Sequence, residues 1–194
     1  WIAMQMGLPV EKLIIATNKN DILHRFMESG TYKKEQVNPS LSPSMDIQIS
    51  SNFERLLFEV HGRSPELIKN KISELKIEGE FKVEDGVLSQ IRQKFASSAC
   101  DDAETSKTIA DVYKSSAEII DPHTATGIYA AKNYNDVITL ATAHPAKFPD
   151  AVNAAIGIKP QLPEFLADLF ERKEKLETLP NSADEVKNFV ASHS

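Results

Sequence analysis

At 194 residues, with 41% hydrophobic and 26% charged side chains, the chain can bury one sizeable core and is too apolar to stay disordered. Its formal net charge of -6, with Lys and Arg scattered along the chain, argues against a nucleic-acid partner. The lone cysteine, Cys100, excludes an internal disulfide, and no run approaches the roughly 20 apolar residues of a membrane span, so a reducing, cytoplasmic setting is expected.

The opening Trp1-Ile2-Ala3-Met4-Gln5-Met6-Gly7 reads as the last turns of a helix, stopped by Gly7 and Pro9, with its first half expected upstream. Lys12-Leu13-Ile14-Ile15-Ala16-Thr17 is a nearly continuous apolar run, as in a parallel strand buried on both faces. Residues 18–21 offer N-caps for a helix carrying Ile22, Leu23, Phe26 and Met27, and Gly30 ends it. Residues 38–50 form a loop with Pro39 and Pro43, whose later part alternates like a short strand or an extended passage. Ser51 and Glu54 make a capping box for a helix built on Phe53, Leu56, Leu57 and Val60.

Further helices are predicted over 64–75, through Val87, Leu88, Ile91 and Phe95, and through Ile109, Val112, Tyr113, Ser116 and Ile119. Asp121 caps the next one, with Pro122 at the favoured first position. The run 137–142 is predicted as a strand, followed by a helix after His144 and two more over 163–178 and 182–193. Two strands so far apart do not make a stable sheet. Most of the sheet is therefore expected from a segment outside this chain, the alternative being a helical core of its own.

Among polar residues, Asn18 lies at the carboxyl end of a predicted strand, the side where open α/β sheets take ligands. Asp46, Ser50, Ser51, Asn52 and Arg55 form the densest polar cluster. They suit either a capping box beside a solvated arginine or a helix start that receives a phosphate. Asp121 is first a cap, and His123 is either structural or pocket-lining. His144 opens a helix, a position that favours a neutral ring. Thr142, by residue type alone, is a junction cap. The five histidines and Cys100 show no metal-ligand spacing, and no GxSxG elbow exists.

Three segments occur in a telling order: Leu41-Ser42-Pro43-Ser44-Met45-Asp46-Ile47-Gln48-Ile49-Ser50-Ser51-Asn52-Phe53-Glu54-Arg55, Asp121-Pro122-His123-Thr124-Ala125-Thr126-Gly127, and Leu140-Ala141-Thr142-Ala143-His144-Pro145-Ala146-Lys147-Phe148. Together they resemble the C-terminal portion of threonine synthase in its longer form, a pyridoxal-phosphate enzyme of amino-acid biosynthesis. The resemblance implies a tryptophan-synthase-β-like α/β fold, helix-rich here with few parallel strands. It implies residues 1–59 in the cofactor-binding α/β domain, 60–120 as a helical insertion, 121–160 returning to the cofactor domain, and 161–194 as C-terminal helices.

The implied activity is a carbon-oxygen lyase that converts O-phospho-L-homoserine and water into L-threonine and phosphate. Phosphate leaves from the γ carbon and water adds at the β carbon. Thr142 is implied to hydrogen-bond the pyridine nitrogen of the cofactor, and a hydroxyl can donate to a neutral ring nitrogen. Asn18, Asp46, Asn52, His123 and His144 are the further candidates for lining the pocket. In the family the Schiff-base lysine and the glycine-rich phosphate loop belong upstream. No lysine here matches that motif, and the seven glycines do not build that loop. The chain alone is therefore expected to be inactive, with the substrate and the N-terminal part of the same enzyme as its partners. The competing readings are a non-catalytic helical interaction or regulatory module, and a related pyridoxal-phosphate lyase with another substrate.

Overall fold

Among the described residues four strands form in chain order: β1 (Leu13–Thr17), β2 (Thr31–Lys33), β3 (Glu80–Lys82) and β4 (Phe95–Ala99). They pair as two separate ribbons, β1 with β4 in parallel and β2 with β3 antiparallel. Leu13 lies opposite Phe95 and Thr17 opposite Ala99, while Tyr32 faces Phe81. This computed structural model describes residues 1–193, and the chain divides into two compact units, Trp1–Pro160 and Gln161–Ser194.

In the first unit the helices are α1 (Ile2–Gln5), α2 (Ile22–Ser29), α3 (Phe53–Val60), α4 (Pro65–Ile77), α5 (Asp85–Lys94), α6 (Asp102–Ser116), α7 (Pro122–Ala131) and α8 (Pro149–Ile156). Their ends follow local chemistry. Ser64, Asp101 and Asp121 accept backbone N–H bonds at the starts of α4, α6 and α7. Gly30 stops α2 at φ 75, a left-handed value that a side chain would strain, and an added Cβ would also meet Leu88 Cδ2 at 3.2 Å.

The core gathers around four rings. Phe26 meets Phe53 edge-on at 4.7 Å, and Tyr32 stacks between Phe53 and Phe81 at 5.2 Å on each side. Leu57, Ile91, Ile22 and Leu75 close around them. The Tyr32 hydroxyl accepts the Ser50 N–H at 2.7 Å, so the one polar atom of that ring is satisfied inside the core. Burial pushes the Tyr32 phenol above its ordinary pKa.

Several sequence expectations are corrected here. The run 137–142 is not a strand: no neighbouring strand pairs with it, and Ile138 and Leu140 are 88% and 76% exposed. A strand is defined by its partner, and none is available in this chain at that position. Phe95 does not end a helix but opens β4, whose pairing with β1 overrides the apolar rhythm of α5. The stretch 60–120 thus contributes β3 and β4 as well as helices. The Ser51–Glu54 box does not form, because α3 begins after Asn52, one residue too late for Ser51 to cap it.

The second unit holds a 3₁₀ turn at Glu164–Leu166 and one helix, α9 (Ala183–His193). The expected helix over 163–178 is absent, since Phe165, Phe170 and Leu176 stay 77–85% exposed and give an amphipathic face nothing to pack on. Ser182 does open α9, accepting the Glu185 N–H at 3.5 Å. Within this unit Arg172 pairs with Asp168 at 2.5 Å.

Candidate functional site

β1 delivers Thr17 and Asn18 to its carboxyl end, and the loop after it turns back through Asn20. Asn18 is 1% exposed and Asn20 is 3% exposed, so both amides must find partners inside the protein. Asn18 Oδ1 accepts the Asn20 N–H at 2.8 Å, an Asx turn that points both amide nitrogens the same way. Asn18 Nδ2 donates to Asp46 Oδ1 at 2.8 Å and lies 2.8 Å from Ser40 Oγ and 3.0 Å from Ser42 Oγ. Asn20 Nδ2 donates to the same Asp46 oxygen at 2.9 Å, and Asn20 Oδ1 accepts the Asn38 N–H. Asp46 also takes the Ser40 hydroxyl at 2.5 Å and the Ser40 N–H at 2.9 Å. One carboxylate therefore gathers the β1 loop and the 38–46 loop, and its charge is met by four donors.

A second cluster sits at the start of α7, the helix that packs on β1. Asp121 is fully buried and accepts from the His123 N–H at 2.8 Å, His123 Nδ1 at 3.0 Å and the Thr124 hydroxyl. A buried carboxylate at a helix N-terminus is stabilised both by those donors and by the helix dipole. The two clusters are joined because the Ser44 N–H donates to His123 Nε2 at 3.1 Å. Nε2 must then be the acceptor nitrogen, so the ring proton sits on Nδ1 and goes to Asp121.

From the same cap the chain reaches Thr142. Thr124 Oγ1 accepts the Thr142 backbone N–H at 3.2 Å. Thr142 is exposed, and its own hydroxyl has no hydrogen-bond partner among the described residues. Two further contacts press this run onto α7: an added Cβ at Gly127 would lie 3.0 Å from Thr139 Cγ2, and His123 packs on Phe148 at 4.5 Å.

Of the expected site residues, Asn18, Asp46, His123 and Thr142 thus belong to one connected polar system. Asn52 and His144 do not. Asn52 is exposed and holds Arg55 Nη1 at 2.7 Å, while Ser51 and Arg55 line a separate groove of about 1020 Å³ between α1, α3 and α4. His144 caps the 3₁₀ turn Pro145–Lys147 by accepting the Ala146 N–H at 3.2 Å. The sequence offers Asn20 only as a helix cap and does not single out Ser40, Ser42 or Thr124. Only Thr124 had a readable signal, as a hydroxyl three residues after a capping Asp, the spacing of a side chain that can reach back to its cap.

Among the described residues no lysine joins the network: Lys19, next to Asn18, is held by Asp102 at 2.7 Å. Among the described residues no group of three or more His, Cys, Asp or Glu is placed to hold a metal ion, and no helix is long and apolar enough to cross a membrane.

The family described as "Threonine synthase, C-terminal" matches residues 124–190. Threonine synthase of Pseudomonas aeruginosa is 51% identical over all of this chain and 42% of its own length. That of Saccharomyces cerevisiae is 42% identical over 98% of this chain and 43% of its own length. A crystal structure of PLP-bound threonine synthase from Brucella melitensis superposes with a TM-score of 0.89 at 48% identity, covering all of this chain and 42% of that one. The yeast enzyme's crystal structure does so with a TM-score of 0.83, covering 97% of this chain and 43% of that one. The fold is that of the C-terminal part of the tryptophan-synthase-β-like α/β enzymes, helix-rich with few parallel strands. Along its whole length the chain is similar to the C-terminal portion of threonine synthases, and it spans a little over two fifths of the length of the curated relatives it matches.

Proposed function

We propose that this chain forms one wall of the active site of a cytoplasmic threonine synthase, which converts O-phospho-L-homoserine and water into L-threonine and phosphate. The observation that carries this reading is Thr142, whose backbone is fixed by Thr124 while its hydroxyl is left without a partner. A hydroxyl held in that way can donate to a neutral ring nitrogen, and the donor set fits a pyridine ring that is not protonated. Asp121, the nearby carboxylate that would favour a protonated ring, is already used up by its own cap and by His123 and Thr124.

Pyridoxal phosphate, when bound, supplies an electron sink that stabilises negative charge on the substrate carbons. The chain's own residues orient and shape. Thr142 would donate to the ring nitrogen. His123, with its proton on Nδ1 and Nε2 occupied, keeps the α7 cap and the 38–46 loop together without exchanging a proton. Asn18 and Asp46 hold the loops at the carboxyl end of β1 on the substrate side. Residues 1–59 and 121–160, with β4 added to their sheet, form the cofactor-binding part, and the lysine and phosphate loop come from the N-terminal part of the enzyme. The single cysteine, buried and unpaired, suits a cytoplasmic enzyme.

The test is to supply the full-length protein with pyridoxal phosphate and O-phospho-L-homoserine and to measure L-threonine and phosphate together. Equimolar release of both is the expected result. Phosphate released without threonine would transfer the reading to a related lyase, and no turnover at all would overturn it.

A further inference from the structure

We propose that Thr124 is a positioning residue, whose hydroxyl fixes the backbone of Thr142 and so aims the Thr142 side chain. The inference rests on the reading of Thr142 given above. The run 137–142 has no strand neighbour to hold it, and its side chains at 138 and 140 face solvent. What holds the run is α7, at Thr139 against Gly127 and at Thr142 on Thr124, and the chain just beyond it is held at Phe148 on the His123 ring. The first and last of these contacts are apolar and tolerate sliding. Only the Thr124–Thr142 bond is directional.

Thr124 suits this task because of where its hydroxyl proton goes. A hydroxyl has one proton and two lone pairs. Its proton is given to Asp121 Oδ2, which leaves a lone pair turned toward the Thr142 N–H at 3.2 Å. Asp121 is itself rigid, buried and fixed by the start of α7. Orientation thus passes from a helix cap, through one hydroxyl, to the backbone of the residue that faces the cofactor. Val at position 124 would keep the shape and lose the acceptor, whereas Ser would keep the acceptor.

The experiment compares Thr124→Val, Thr124→Ser and Thr142→Val in the full-length protein with cofactor bound. It reads amide hydrogen exchange at Thr142, the visible absorbance of the bound cofactor, and kcat and KM separately. For Thr124→Val the Thr142 amide should exchange at least about tenfold faster, and kcat should fall about ten- to a hundredfold with KM little changed, the size expected for a small misplacement of an aligned group. The absorbance should shift in the same direction as in Thr142→Val, and Thr124→Ser should restore all three. An unchanged Thr142 amide in Thr124→Val overturns the proposal, as does a freed amide with wild-type absorbance when Thr142→Val does shift it. If neither variant alters the absorbance although the amide is freed, it is the assignment of Thr142 to the ring nitrogen that fails, and the proposal falls with it. Should the Val variant not fold, Thr124→Ser alone decides: a freed amide in that variant is incompatible with the hydroxyl as the anchor.

Discussion

The Ser44 N–H donates to His123 Nε2 across 79 residues of chain, and this one bond joins the polar network below β1 to the cap of α7. It also determines the tautomer of His123, since a backbone N–H needs a lone pair to point at. A histidine engaged at both nitrogens cannot serve as a proton shuttle without breaking one of these bonds. Its service is geometric, which is why it lies buried with a carboxylate on one side and a loop amide on the other.

The isolated 194-residue chain should release no phosphate from O-phospho-L-homoserine above the uncatalysed rate. Among the described residues no lysine hydrogen-bonds Asn18, His123 or Thr142, and Lys19, next to Asn18, is ion-paired with Asp102. A phosphate-release assay on the purified chain checks this, and turnover there would require a site built from these residues alone.

In the full-length protein Thr142→Val removes a hydroxyl that we assign to the ring nitrogen. A buried acceptor left without its donor costs about 1–3 kcal/mol. If that cost is felt only in the transition state, kcat falls roughly ten- to a hundredfold. Cofactor binding, measured by equilibrium titration, should weaken less than kcat does. Thr142→Asp should instead favour a protonated ring and change the absorbance spectrum.

Asp46→Asn should destabilise the fold without touching the apolar core. It turns one accepting oxygen into a donating amide, which then faces either the Asn18 and Asn20 amides at the Oδ1 position or the Ser40 N–H at the Oδ2 position. Leaving such groups unmatched costs about 1–3 kcal/mol. At this chain length each kcal/mol lowers Tm by about 2–4 °C. Calorimetry reads the shift, and an unchanged Tm would remove Asp46 from its place as the hub of the loops.

Burial pushes the Cys100 thiol from an ordinary 9.0 to about 11, while its contact with the Thr105 hydroxyl at 3.3 Å pulls slightly the other way. The folded chain therefore prefers the neutral thiol more than the unfolded chain does. The resulting stabilisation is fully present below pH 9.0 and is lost as pH rises through about 11. Thiolate is the reactive form, so a thiol reagent at mildly alkaline pH should label the native chain at least about a hundredfold more slowly than the urea-unfolded chain. Equal rates would show that Cys100 is open to solvent.

What could be read in the sequence was what is decided locally. Asp121 with Pro122 and the glycine stop at Gly30 act within one helical turn, and both lie where the pattern put them. β1 was legible because its apolar run is continuous. β4 was not, since Phe95-Ala96-Ser97-Ser98-Ala99 has no β-branched residue and becomes a strand only beside β1. The reverse error at 137–142 has the same origin, an apolar run that carries strand character but finds no partner here. Asp46 stood out as polar, yet its role depends on Asn18, Asn20 and Ser40, which loop closure alone brings to it.

The parallel pairing of β1 with β4 also sets a schedule for the nascent chain. Thr17 and Ser98 meet across 81 residues, and the bond between them cannot form until all of that chain has been made. At about 5–20 residues per second, β1 waits roughly 4–16 s after it is synthesised, its hydrogen-bonding edge bare while α2 to α5 assemble. That interval is long compared with helix or hairpin formation, which takes microseconds. The aromatic cluster of Phe26, Tyr32, Phe53 and Phe81 is complete before β4 is made, so it can form first and hold β1 ready for its neighbour. A chain that stopped shortly before residue 95 would thus hold all four rings of the cluster and a β1 still lacking its β4 neighbour.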